Sequence, residues 1–374
     1  ANYTAGDADF SSYVAIGNSL TAGYMDGTVY KSGQANSFPN LLAQQFALVG
    51  GGTFTQPSFE EDVNNLGGFA GVPNSTRRII DASTGTVENI AGTPTITTTS
   101  QATAYNNMGV PGAKSFHLGF PGYGTLNPYF ARHATSPTAT VIGDAMSKNP
   151  TFFTNWIGAN DVLSYATNGG AQADGTTPAA DHNLTGNMNP ATYGSNDITN
   201  SGVFASVYST LINTLTSGGA KGVVATVPSV TSIPYFTTVP YKPVPLDNTF
   251  ATQLNSAYAA YNGGLDVAFS NGLITNAERL QRKVVFVAGK NPVVIVDSDL
   301  TNLSGLGLPS YRMTTSQDLI VLPASSFIGT TVGGDPLMIN GVSVPLANKW
   351  VLTANEKAKV ASATAAYNNT IVSI

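Results

Sequence analysis

The sequence predicts an α/β fold: a central parallel sheet, doubly wound, with helices on both faces. Two observations carry this. Short apolar runs are spaced along the chain like strands buried on both sides, and stripes of helical period lie between them. Strand and helix thus alternate, as parallel sheets require.

Taken in order, the strand-like runs are 13–16, 151–157, 222–227, 284–287 and 293–296, which gives a sheet of about five strands. Residues 38–49 read as a helix, with Pro39 tolerable in its first turn. Phe204, Val207, Leu211 and Leu215 repeat at helical spacing and stop at Gly218 and Gly219. Phe250, Leu254, Tyr258, Tyr261, Leu265 and Ala268 form an apolar stripe behind Asp247 and Asn248, either of which can cap it. The last helix opens at Thr353 with Glu356 three residues on, a capping box, and Val360, Tyr367 and Ile371 mark its buried face. Three polar, Gly- and Thr-rich stretches break the rhythm, at about 50–104, 168–200 and 298–345. They read as insertions in a single domain spanning 1–374.

Composition narrows the function. Charged residues make up only 10%, against about 25% in an ordinary globular chain, so Thr, Ser, Asn and Gln must supply the polar surface. Such a surface suits a secreted or cell-surface protein. Sixteen Lys plus Arg against 21 Asp plus Glu leave a net charge of −5 and no basic stripe, which argues against nucleic acid as a partner. The absence of cysteine excludes disulfides, thiolate metal sites and cysteine nucleophiles. Histidines 117, 133 and 182 lack metal-site spacing, so neither metal nor other cofactor is expected. No apolar run reaches the ~18 residues of a membrane span, and no signal peptide opens the sequence, which points to a cytosolic chain or a processed one.

Three short blocks carry chemistry. The first strand runs into Gly17-Asn18-Ser19-Leu20, which places a serine just past a strand end, where α/β folds bind ligands. Asn106-Asn-Met-Gly-Val-Pro-Gly112 can bring a backbone N–H close to a substrate oxygen at Gly112. Gly158-Ala-Asn160-Asp161 follows another strand, and its Asn160 amide can donate to a developing oxyanion, while Asp161 orients the turn. Each block alone is equally an ordinary turn.

In order and context the three blocks resemble the SGNH (GDSL-type) hydrolase superfamily. The resemblance implies a flavodoxin-like, three-layer α/β/α fold, with Ser19 as the nucleophile and Gly112 and Asn160 as oxyanion donors. Residues 13–24 and 109–118 further resemble surface lipoproteins of that superfamily from Bacteroidetes-type bacteria. That likeness implies an outer-membrane or cell-surface location through a lipid anchor, and no transmembrane segment.

The superfamily's remaining block, Asp-x-x-His before the last helix, is altered. Counting back from Thr353 sets Val351 where the histidine stands and Asn348 where the aspartate stands. Valine cannot take a proton, and no histidine follows His182. His117, five residues beyond Gly112, is a candidate surrogate base; His182, in the polar 168–200 stretch, is a weaker one; His133 reads as a solvated position. Three functions follow: an ester hydrolase acting on acylated carbohydrate or lipid, weak or inactive without its base; a non-catalytic binding protein for a glycan or acyl ligand; or an accessory subunit of an outer-membrane assembly.

Overall fold

Tyr13–Gly17 forms β1, and every one of its residues is buried. The computed structural model describes residues 2–57 and 59–374. With β2 (Asn107–Gly109), β3 (Phe152–Trp156) and β4 (Lys221–Val224), β1 makes a four-stranded parallel sheet ordered β2-β1-β3-β4. Ala15 pairs with Asn107 on one side and Thr154 on the other, and Thr154 in turn pairs with Val223. The chain steps outward from β1 to β2, then returns to lay down β3 and β4 on the other side. The order therefore reverses between β1 and β3, the kind of place where open α/β sheets bind ligands beyond the carboxyl ends of their strands.

Alternation along β1 divides the sheet into two faces. Tyr13 and Ala15 pack with Leu42, Ala43 and Phe46 of a helix, Phe38–Ala47, and with Phe54 and Phe152. Val14 and Ile16, fully buried, face the other way, where the helix Val141–Met146 packs on β1 and on a further helix, Ser201–Thr216. Each fully buried Val or Ile contributes about 1.5–3 kcal/mol. β4 is the open edge, and its four residues are exposed. Its shortness and its leading Lys221 suit an edge that must not pair with other chains.

The chain groups into two compact units. One holds residues up to Asn160, Ser201–Val227 and Ala366–Ile374; the other holds Asp161–Asn200 and Pro228–Ala365. The stretches read as insertions at 168–200 and 298–345 thus belong to a unit with its own helices, whereas 50–104, with its hairpin of Arg78–Ile80 and Val87–Asn89, lies in the first.

The second unit is built on a helix, Asn248–Ser270, whose Asp247 cap accepts the Phe250 N–H at 2.7 Å and whose expected apolar stripe is buried from Leu254 onward, with Phe250 half-buried. Two runs expected as central parallel strands lie here and serve otherwise. Val294–Val296 pairs antiparallel with Tyr311–Met313 in a two-stranded ribbon. Residues 284–287 are extended but join no sheet. Asn262 of the long helix brackets the Val284 peptide (N–H at 2.9 Å, C=O at 2.8 Å), and Asn255, one heptad earlier, does the same for Phe286 (2.7 and 2.9 Å). A side-chain amide offers the donor and acceptor that a neighbouring strand would. The last helix, Ala354–Ser373, begins as expected: Thr353 and Glu356 exchange hydrogen bonds at 3.2 and 3.3 Å, and Asp318 accepts the Ala354 N–H at 3.0 Å.

Candidate functional site

Ser19 occupies the first position of a four-residue helix, Ser19–Ala22, entered directly from β1. Asn18 caps that turn by accepting the Leu20 N–H at 3.0 Å, and Gly23, at φ 81°, ends it. Gly17 must be glycine: a Cβ there would sit 2.1 Å from Thr21 Oγ1 and 2.7 Å from the Trp156 carbonyl. The turn is thus wedged against the end of β3. Ser19 is half-buried, and among the described residues neither its hydroxyl nor its N–H is bonded to protein.

The loop after β2 is tied to β1 by the Val110 N–H, which donates to the Gly17 carbonyl at 3.0 Å. Two residues on, Gly112 adopts φ +84° and is exposed, and its N–H meets no protein acceptor among the described residues. Asn160 follows β3 and donates from Nδ2 to the Ala113 carbonyl at 2.9 Å. This bond sets the amide of the third block against the loop of the second. Gly158 allows it, for at φ +125° its missing Cβ would strike Val227 Cγ2 at 2.7 Å. Ser19, Gly112 and Asn160 therefore follow the carboxyl ends of three adjacent strands, flanking the point where strand order reverses.

One supporting residue carried no role in the sequence reading. Asn107, buried in β2, donates to the Thr21 carbonyl at 3.0 Å and to Gln56 Oε1 at 2.9 Å, while its Oδ1 accepts the Gly109 N–H at 3.0 Å. It ties the serine turn to β2. The signal available was a polar amide inside a strand that has to be buried.

The histidines differ in standing. His117 accepts the Lys114 N–H on Nδ1 at 3.0 Å and stacks on Tyr123 at 4.5 Å. Burial, reinforced by the Lys114 charge, pushes its pKa down to about 4, so the ring is neutral near pH 7. With Nδ1 accepting, the neutral ring keeps its proton on Nε2 and offers a neighbour a donor, not a base. His133, expected in solvent, is instead buried between Tyr105 and Phe130, its Nδ1 unpartnered among the described residues and its pKa pushed down to about 3 by desolvation, then by Arg132. His182 is buried in the second unit.

Asn348 and Val351 also belong to the second unit. Val351 is buried in a short antiparallel pair with Ile320. The Asn348 amide donates to the Thr176 carbonyl at 3.0 Å and to Ser298 Oγ at 2.9 Å. Among the described residues no group of three His, Asp or Glu side chains could hold a metal, and no helix is long and apolar enough to cross a membrane. No family model, curated protein or solved structure matches the chain.

Proposed function

We propose that the first unit is an SGNH-type ester-hydrolase fold, flavodoxin-like and three-layered, whose site binds an acyl ester or acylated glycan and hydrolyses it weakly or not at all. One observation carries this. The unbonded Ser19 hydroxyl and Gly112 N–H stand with the Asn160 amide at the ends of adjacent strands beside the switch point. In this reading Ser19 Oγ attacks the carbonyl, and the Gly112 N–H and the Asn160 amide hold the oxyanion.

Proton transfer is what the site lacks. In the block that supplies the base elsewhere in the superfamily, Val351 and Asn348 take up no proton, and His117 offers a donor. General-base help is worth ~10²–10⁴-fold, so turnover at neutral pH should be slow. The commitment of the Asn348 amide to Thr176 and Ser298 favours a second reading, a protein that keeps the pocket for binding alone. The low-charge, Thr- and Asn-rich composition supports a cell-surface or secreted setting for either reading; a bacterial one rests on the resemblance of residues 13–24 and 109–118.

A fluorophosphonate probe with peptide mapping tests the proposal. Slow labelling at Ser19 is expected, and Asn160→Ala should cut the rate by ~10²–10³-fold, as loss of an oxyanion donor does. Absence of a Ser19 adduct in folded protein would transfer the case to binding alone. Turnover at ordinary esterase rates, abolished by His117→Ala, would refute the missing base.

A further inference from the structure

The second unit holds a histidine with both ring nitrogens engaged, at a place the Ser19 chemistry does not use. His182 opens one helical turn, His182–Thr185, capped by Asp181 and closed by Gly186 at φ 73°. Three residues along, Thr185 returns to the same side, and its Oγ1 lies 2.8 Å from His182 Nδ1. On the other side of the ring, Nε2 lies 2.8 Å from Asp197 Oδ2.

Asp197 is buried and firmly held. Oδ2 also accepts the Gly194 N–H at 2.7 Å, and Oδ1 accepts the Ala180 N–H at 2.9 Å and Gln172 Nε2 at 2.8 Å. Burial acts to raise its pKa, yet these donors together with His182 hold it below the ordinary carboxylate range. An ionised carboxylate only accepts. Nε2 therefore carries the ring proton, which leaves the Nδ1 lone pair for the Thr185 hydroxyl. Tyr193 stacks on the imidazole at 3.9 Å and 14°, fixing its plane. His182 and Asp197 are buried, whereas Thr185 is exposed. Nucleophile, base and orienting carboxylate are recognised by such geometry and not by chain order.

We propose that Thr185, His182 and Asp197 form a second nucleophile–base–carboxylate relay, which makes Thr185 an acceptor of acyl groups from small activated esters. Thr185 Oγ1 bonds to the ester carbonyl carbon and its proton passes to His182 Nδ1. The carbonyl carbon–alkoxy bond then breaks, and the alkoxide leaves with that proton as the alcohol. The product is an O-acyl-threonine. The Asn187 N–H, 3.2 Å from Oγ1, steadies the developing alkoxide. Exposed Leu184 and Met188, on either side in sequence, favour an apolar acyl group. Asp197 is a positioning residue, acting through His182.

The test uses the full chain with Ser19→Ala, so that any adduct is independent of Ser19. The protein is treated with p-nitrophenyl acetate and, separately, a fluorophosphonate, and adducts are mapped by peptide mass spectrometry. An adduct on Thr185 is expected, and Thr185→Ala should lose it. His182→Gln should slow it ~10²-fold or more. Asp197→Asn should slow it as well and shift the pH profile of the labelling rate, which a merely structural role would leave in place. Thr185→Ser should label faster than the parent, because a primary alcohol is less hindered. Thr185 is exposed, so that variant folds whatever becomes of the buried ones. No Thr185 adduct in folded protein, a rate unchanged by His182→Gln, or a serine variant no faster than threonine would each overturn the proposal.

Discussion

Gly17 shows how little freedom a single position of the site has. With Thr21 Oγ1 2.1 Å and the Trp156 carbonyl 2.7 Å from where a Cβ would stand, Gly17→Ala must push the serine turn away from β3. Such overpacking costs about 1–3 kcal/mol. Urea unfolding of Gly17→Ala should therefore show a clearly lowered midpoint, and an unchanged midpoint would mean the turn is looser than described. His117 yields a prediction about pH. Its pKa is pushed down to about 4 by burial, so it does not titrate between pH 6 and 9, and its Nε2 holds a proton throughout. On the proposed reading, solvent hydroxide then supplies the serine alkoxide. Ester hydrolysis dependent on Ser19 should accordingly climb about tenfold per pH unit from roughly pH 7 to 9, without the plateau an imidazole base produces near its own pKa. Steady-state rates across that range decide the matter, and a plateau near neutrality would reveal a general base serving Ser19.

Elements are where sequence and structure part company, and the reasons are physical. The runs at 13–16, 151–157 and 222–227 supply three strands of the parallel sheet, β1, β3 and the exposed edge β4, because neighbouring strands satisfy their peptides. The run at 284–287 looks the same in sequence. Its Val284 and Phe286 are buried, but its peptides are satisfied by Asn255 and Asn262, and hydropathy says nothing about which group will supply those bonds. Of the proposed site residues, Ser19 and Asn160 each follow a run that reads as a strand, whereas Gly112 follows β2, which no apolar run marked. His133 was misread as solvated because Tyr105 and Phe130, which enclose it, are brought there by the fold. Asn262→Leu should leave the Val284 N–H and C=O without partners, at about 1–3 kcal/mol, measurable as faster hydrogen exchange and a lower midpoint. The start of the last helix offers another test. Burial pushes the Glu356 carboxyl up to about 8, with Asp297 and Asp299 adding to the rise. Between its ordinary 4.5 and about 8, the native state holds a proton that the unfolded chain releases, so stability falls as pH rises through that window. Glu356→Gln, which keeps the capping bond, should remove that decline, so the variant should exceed the parent in melting temperature above pH 8 and match it near pH 4. Parallel pH profiles for the two proteins would contradict the assignment.

At the scale of the whole molecule, the chain repeatedly leaves and re-enters its units, and the last helix belongs to both. Tyr367, fully buried, stacks on Phe204 at 4.3 Å, and Asn368 brackets the Val227 peptide at 2.7 and 2.9 Å. Tyr367→Ala should cost about 3–5 kcal/mol, like other large aromatic truncations. The loss should appear in the unfolding of the sheet-bearing unit, and a neutral result would mean the terminal helix is dispensable to it. The long helical return has a consequence for the timing of folding. Tyr13 meets Thr154 across 141 residues of chain, and Val227 meets Asn368 across another 141. Pairings so distant in sequence close slowly, because the entropy of a large loop is lost before any contact rewards it. During synthesis at about 5–20 residues per second, roughly 7–28 s would separate the emergence of Val227 from that of Asn368. Throughout that interval the Val227 peptide and the ring of Phe204 stand without their final partners, and the nascent sheet stays open to chaperones.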